Sequence, residues 1–455
     1  MTQPMTYGGH VRAILTLGLP LIGGHLGQIA IGVTDTVMLG WFSVEALAAV
    51  TLGSTFFFVL FIFGSGFAWA VMPLVASFAA EEDEVGIRRA TRMGIWLSLM
   101  FAMIAMPILV WAEPVLRLLG QGDDLAFVAG QYLKVAGWGI IPALFVMVLK
   151  SYLAALERTQ VVLWITVVAA VFNAIANYAL IFGNWGAPEL GVVGAAIASL
   201  STQMVSLIGI LIYILVVVPQ HQLFVRLWRL DPSMFARVFK LGLPIGLTAL
   251  SEVGLFAASA MMMGWLGTIP LAAHGIAVQL ASITFMVHLG LSNVATIRAG
   301  NAYGRRDAGH MGRGAVIVLA LSIGFAALTI IGFVGWPEPL ISAFMQKGEP
   351  ARVEILAVGV GLLAMAALFQ LVDGAQAVAL GLLRGVQDTS VPMWMAAFSY
   401  WVVGIPASYL LGFTFGLEGI GVWAGLVLGL GVAAILLNLR FWRVTIKQVG
   451  QPAAG

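Results

Sequence analysis

GQIAIGVTDTVMLGW, residues 27–41, sets a carboxylate, Asp35, seven positions after Gln28 in a run otherwise built of Ile, Val, Ala, Gly, Thr, Met and Leu. Burying an uncompensated acid costs free energy, so either the segment is no apolar helix or the acid has a task. Composition decides the first half of that choice. Only 9% of the 455 residues are charged and 61% are hydrophobic, with a mean hydropathy of +1.02, whereas about a quarter of a soluble domain is charged. Apolar stretches long enough for a hydrocarbon core of ~30 Å, roughly 20 helical residues each, recur along the whole chain. The fold class is therefore an all-α integral membrane protein, with no room between spans for a large soluble domain.

Apolar runs bounded by charged residues or by Gly and Pro predict twelve spans: 13–38, 46–72, 91–112, 128–148, 160–182, 192–217, 238–264, 271–296, 314–335, 353–382, 391–413 and 419–440. Lys and Arg test the count, because cytoplasmic loops carry the excess. One side collects 18 of them, the other only Arg117, Lys347 and Arg352, while Lys134 falls inside the fourth span. A miscounted helix would scramble that split, so both termini are expected in the cytoplasm. No cleavable leader is expected, since the first apolar segment lacks a small-residue cleavage site and continues through Asp35.

An internal repeat divides the chain. At an offset of 224, LGLPLIGGHLGQ (17–28) aligns with LGLPIGLTALSE (241–252), and MLGW (38–41) with MMGW (262–265); Asp83 and Arg89 meet Asp307 and Arg313. At an offset of 230, Leu153, Thr159, Val161 and Trp164 meet Leu383, Thr389, Val391 and Trp394. The expected organisation is a six-helix bundle over 1–217, a cytoplasmic linker over 218–237 and a second bundle over 238–455. Six is even, so the halves share one orientation and are expected to be related by a pseudo-twofold axis along the membrane normal, as in parallel-repeat transporters.

The departures from symmetry locate the chemistry. Asp35 is set against Ser259, and Glu252 against Gln28. His25, Gln28, Gly32 and Asp35 follow the spacing of one helical face, as do Thr248, Glu252 and Ser259 in the seventh span. The tenth span brings Gln370, Asp373 and Gln376 onto adjacent turns. Asn173 and Asn177 stand at i, i+4 in the fifth, and Gln279, Ser282, Met286 and Asn293 run along one side of the eighth. A charge at the centre of a bilayer helix costs ~2.5–3.5 kcal/mol on the mildest insertion scale and is functional by default. Asp35, Glu252 and Asp373 must face protein or water, with only Lys134 and His25 as candidate matching buried bases. That unbalanced negative charge invites a cation, H⁺ or Na⁺, with Glu252 and Asp373 as ligands if the ion is sodium. Gln28, Asn173, Asn177, Gln279, Met286, Gln370 and Gln376 are the substrate or cavity-lining candidates. His25 either belongs to the pathway or packs; Lys134 either neutralises an acid or snorkels; the Asn pair either binds substrate or bridges helices.

Missing chemistry narrows the class. Without cysteine there is no disulfide, iron–sulfur cluster or thiol catalysis. The six histidines lack metal-ligand spacing. There is no phosphate-cradling loop for a nucleotide and no hydrolytic motif, so neither ATP-driven transport within this chain nor an enzyme is expected, and no resident cofactor. Basic residues scattered over short loops give no nucleic-acid surface.

LGLP, VTDTVMLGW, the LSE of the seventh span, NAIANY (173–178) and LVDGAQAVALGLLRG (371–385), together with the repeat, resemble the multidrug and toxic compound extrusion (MATE) family, and within it the NorM-type branch, over nearly the whole chain. The resemblance implies an inner-membrane antiporter in which Na⁺ or H⁺ entry drives export of organic, often cationic, drugs and dyes. In that branch the second-half acids, matching Glu252 and Asp373, hold the coupling cation, and the first-span acid, matching Asp35, is assigned to protonation or cation binding. The implied partners are small-molecule organic cations and membrane lipid, with the chain acting as a monomer. Two alternatives stay open: a lipid-linked oligosaccharide flippase of the same superfamily, whose cavity is rich in basic residues, and a passive cation channel.

Overall fold

The computed structural model describes residues 5–346 and 348–449; Lys347, counted above on the outer side, and both chain ends lie outside the described residues. Twelve helices there are long and apolar enough to cross a membrane: α1 Tyr7–Phe42, α2 Val44–Ala80, α3 Glu84–Val110, α4 Asp123–Ala155, α5 Thr159–Phe182, α6 Gly191–Val217, α7 Pro232–Leu266, α8 Thr268–Gly304, α9 Ala308–Gly335, α10 Arg352–Gly385, α11 Ser390–Thr414 and α12 Glu418–Val449. Each expected span has its helix, and no strand occurs among the described residues. Several helices outrun their apolar core. α2 continues to Ala80 and α8 to Gly304, because a helix needs only propensity and end caps to continue into the polar interface. Asp83 supplies such a cap to α3, accepting from the Gly86 N–H at 2.9 Å; its repeat partner Asp307 caps α9 through the His310 N–H at 2.8 Å.

The repeat extends to backbone conformation. Glu82 and Arg306, equivalent at the first offset, both take the left-handed conformation, with φ of 58° and 56°. Glu157 and Gln387, equivalent at the second, do the same at 61° and 63°. Such backbone is uncommon for residues other than glycine, so its recurrence at matched loops reflects a shared loop geometry that survived sequence drift.

Compactness does not follow the halves of the repeat. One unit is Gly23–Gly246; the other joins the chain up to Ile22 with that from Leu247 onward. The dividing points lie inside α1 and α7 and not in a 218–237 linker, and α7 already begins at Pro232. Two features accompany these dividing points. Each division falls two residues beyond a repeat-related proline, Pro20 or Pro244, where the ring removes one helical hydrogen bond. The first stretch of each helix also packs with the other half's second helix at a glycine. A Cβ on Gly66 of α2 would lie 2.4 Å from the Gly246 backbone nitrogen, and one on Gly290 of α8 would lie 2.4 Å from Ile22 Cγ1. Gly66 and Gly290 are themselves equivalent at the first offset.

Each unit has an apolar core. In the Gly23–Gly246 unit it is built around Leu109, Tyr132, Leu133, Leu144 and Ile181. In the other, Trp423, Phe369, Tyr400 and Phe441 are fully buried, with the Phe369 and Trp423 rings edge-on at 5.6 Å. Trp423 donates its indole N–H to His274 Nδ1 at 3.1 Å. That satisfies two polar groups in hydrocarbon surroundings and gives His274 a structural role.

Candidate functional site

In the Gly23–Gly246 unit, Asp35 of α1 is half-buried and meets the paired asparagines of α5. The i, i+4 spacing stacks Asn173 and Asn177 one turn apart on one face. Asn177 Nδ2 donates to Asp35 Oδ1 at 2.5 Å and to Asn173 Oδ1 at 3.1 Å. Asn173 and Ser199 of α6 also turn polar groups to the carboxylate, and Tyr132 of α4 stands beside Ser199 within the field of Asp35. The cluster is rich in donors: it can hold an anionic carboxylate, or exchange one donor for an incoming cation.

Farther back along α1, His25 lies within the field of Lys150, whose Nζ donates to Thr166 Oγ1 at 2.9 Å. Ten residues separate His25 from Asp35, so this second polar group lies ~15 Å along the helix. Lys134, which could neutralise an acid or snorkel, is exposed, in keeping with a snorkelling side chain. Lys150, two residues past the predicted end of the fourth span, is the base the unit turns inward.

In the other unit, Glu252 of α7 and Asp373 of α10 act electrostatically on one another. Asp373 is 2% exposed, and its Oδ1 has no hydrogen-bond partner among the described residues. Gln370 and Gln376, one turn before and after it, are buried and each leaves its Oε1 without a partner. Their amide nitrogens are engaged: Gln370 Nε2 donates to the Ala281 carbonyl at 2.9 Å, and Gln376 Nε2 to the Tyr400 hydroxyl at 2.5 Å. One stripe of α10 thus presents three buried acceptor oxygens, an arrangement suited to a hard cation. Among the described residues no group of three or more His, Cys, Asp or Glu is placed to hold a metal, so any ion here would draw mainly on amide and hydroxyl oxygens beside the two acids.

Sequence reading missed several members. Arg384, near the end of α10, acts on Glu252 and on Tyr400 of α11. Its signal was available: eleven residues after Asp373 is close to three helical turns, hence the same face. Tyr400, fully buried, lies in the fields of Glu252, Asp373 and Arg384, and nothing in its local sequence marks it. His288 Nδ1 pairs with Ser322 Oγ at 2.8 Å and approaches Gln370. Of the other candidates, Gln28 and Gln279 are exposed, and Met286 is half-buried. The counterpart of Asp35, Ser259, is buried and donates to the Phe256 carbonyl at 2.8 Å, a purely local bond.

The MatE family model matches residues 20–179 and 244–410, two stretches that hold Asp35, both asparagines, Glu252, Asp373, Arg384 and Tyr400. The chain belongs to the MatE family. Among MatE relatives, a probable multidrug resistance protein NorM from Rhizobium meliloti is 45% identical over 98% of this chain and 96% of its own. A protein of the same name from Agrobacterium fabrum is 43% identical over 95% and 93%. The fold matches the outward-facing conformation of a multidrug resistance MATE family transporter with a TM-score of 0.87, at 20% identity and 97% coverage of both chains. It also matches a eukaryotic MATE transporter at 0.86, with 17% identity over 98% of this chain and 99% of that one. MatE membership and the twelve helices together make this a multi-pass membrane protein.

Proposed function

We propose that this protein is a cation-coupled antiporter that exports organic cations from the cytoplasm across the inner membrane, with both termini cytoplasmic, acting as a monomer. The family and its relatives named as multidrug resistance proteins support drug export. The coupling reading is carried by one observation: a buried Asp373 oxygen that, like the glutamine oxygens on either side of it, has no hydrogen-bond partner among the described residues, within the field of a second acid, Glu252. Buried polar atoms are ordinarily satisfied, and a small cation, Na⁺ or H⁺, satisfies these. Asp35 is the second, coupled acid.

Exchange then follows from charge. The acids repel one another when both are ionised and empty; a coupling cation and a cationic drug are alternative ways of relieving that field. Coupling is a difference in affinity between states, reciprocal between the two ligands. Arg384 offsets part of the charge on Glu252, which leaves the cluster nearer a single negative charge and suits it to one monovalent ion at a time. The transported ion is cargo, and no resident cofactor is required.

Efflux of a fluorescent organic cation from proteoliposomes, measured under separately imposed Na⁺ and pH gradients, tests the reading. Efflux is expected only when an inward cation gradient is present, and the gradient that drives it identifies the ion. Equal flux with both gradients dissipated would sink antiport and favour a channel.

A further inference from the structure

The cytoplasmic edge of the Gly23–Gly246 unit contains a cavity of about 750 Å³ that the transport reading leaves unused. Arg88, Arg89, Arg92, Arg226 and Arg229 line it, and Asp231 is the only acid in its lining. Its wall is the segment between α6 and α7, and that wall is tied in place. Arg92 donates to the carbonyls of Leu223 at 2.7 Å and Gln222 at 3.0 Å, and also to that of Val225. Trp96 Nε1 donates to the Leu227 carbonyl at 2.7 Å, and Arg88 Nη1 to Gln222 Oε1 at 3.2 Å. Arg89 pairs with Asp231 and holds that carboxyl well below the usual carboxylate range, so the acid stays charged and spent on one arginine.

Topology alone asks only that arginines lie on the cytoplasmic side; it does not ask five of them to line one hollow with a single acid. Their mutual repulsion needs an anion. The sequence of the wall, FVRLWRL (224–230), alternates apolar side chains with Arg226 and Arg229. Trp228 is 76% exposed, Val225 52% and Leu230 51%. Exposed Trp beside Arg is the pairing found at headgroup level in a bilayer, and basic pockets at the cytoplasmic ends of membrane helices suit anionic headgroups. A free anion would account for the arginines but not for the exposed apolar residues between them.

We propose that this cavity binds the phosphodiester headgroup of an anionic phospholipid of the cytoplasmic leaflet. Arg88, Arg226 and Arg229 engage the phosphate, and Val225, Trp228 and Leu230 rest in the acyl boundary.

The test uses the full-length protein in a neutral detergent, titrated with phosphatidylglycerol, phosphatidylcholine or inorganic phosphate, and read by native mass spectrometry and by the thermal unfolding midpoint. Saturable phosphatidylglycerol binding that raises the midpoint is expected, with no such effect from phosphatidylcholine. The triple variant Arg88→Gln, Arg226→Gln, Arg229→Gln is expected to weaken binding about a hundredfold, at roughly a fivefold loss per charge near a membrane surface. Trp228→Ala, which keeps every charge, is expected to weaken it several-fold. A triple variant that unfolds without lipid is replaced by the double variant Arg226→Gln, Arg229→Gln, which should still lose more than tenfold. Unchanged phosphatidylglycerol binding in these variants overturns the proposal, as does equal binding of phosphatidylcholine. Saturation by inorganic phosphate with full displacement of the lipid also overturns it, since the site would then be one for a free anion.

Discussion

The two acidic clusters stand on repeat-related helices but not at equivalent positions, and they arrange their oxygen and nitrogen atoms differently. Around Asp35 the neighbours offer donors, the Asn177 amide at 2.5 Å with Asn173, Ser199 and Tyr132 close by, although Asn177 Oδ1 has no hydrogen-bond partner among the described residues. Around Asp373 they are acceptors: Gln370 and Gln376 spend their N–H groups elsewhere, and their Oε1 atoms have no hydrogen-bond partner among the described residues, with His288 approaching Gln370. Donors around a carboxylate offset part of the cost of burying its charge, whereas one ringed by acceptors is stabilised only when something positive arrives. The difference teaches that repeat symmetry preserved the helices while the polar chemistry was divided between the units.

The comparison can be broken most severely at the acceptor cluster. Asp373→Asn, and equally Glu252→Gln, is expected to lower cation-driven efflux at least a hundredfold in proteoliposomes. Both should leave a monodisperse protein in detergent, since each swap keeps the side chain's size and Asp373 Oδ1 has no hydrogen-bond partner to lose among the described residues. Wild-type rates from either variant would contradict the division. Asp35→Asn should cut efflux less, about tenfold, and leave the cation concentration for half-maximal transport nearly unchanged, since the amide still fits the donor-rich surroundings with one hydrogen bond altered.

Arg384→Gln sharpens the contrast from the other direction. Removing a positive group that acts on Glu252 leaves two acids uncompensated, so the half-saturating cation concentration should fall, by roughly tenfold for a partly buried charge interaction. An unchanged value would mean that Arg384 serves packing alone.

Smaller effects test the scaffold. Gly66→Ala puts a methyl 2.4 Å from backbone of α7 and is expected to cost about 1–3 kcal/mol, seen as a lower unfolding midpoint. The smallest effect is a pH dependence in the segment after α6. His221, whose Nδ1 lies 2.5 Å from the Tyr152 hydroxyl, has its pKa lowered from 6.5, chiefly by burial. The unfolded chain therefore binds the proton more readily, and the folded state keeps its full stability above pH 6.5 but loses some as pH falls through the window below it. Unfolding midpoints from pH 8 to pH 5 should drop by a degree or two more in the wild type than in His221→Phe, a shift of about that size being what a fraction of a kcal/mol gives.

How much was legible beforehand differs by kind of information. The twelve spans were readable because hydrocarbon imposes one requirement on every residue of a crossing helix, and composition averages over them. The three acids were readable for the same reason, each being an exception to that requirement. Arg384 was readable in principle from its eleven-residue spacing to Asp373, but its place near a predicted cytoplasmic end made it look like a loop charge. Of the adjacent Met261, Met262 and Met263, only Met261 is exposed; the other two are 3% and 0% exposed. A run of identical residues carries no information about which face of a helix is covered.

Sequence alone determined that the chain crosses a membrane twelve times, that it is a duplicated array, and which side chains are too polar to be there by accident. Those properties are sums over local transfer free energies and spacings along single helices. Only the tertiary structure decided which of those side chains meet, that Lys150 and Arg384 turn inward while Lys134 does not, and that α1 and α7 each divide between units near Pro20 and Pro244. Those outcomes depend on which helix faces touch, and a contact between faces is set by two distant segments at once, so neither segment encodes it by itself.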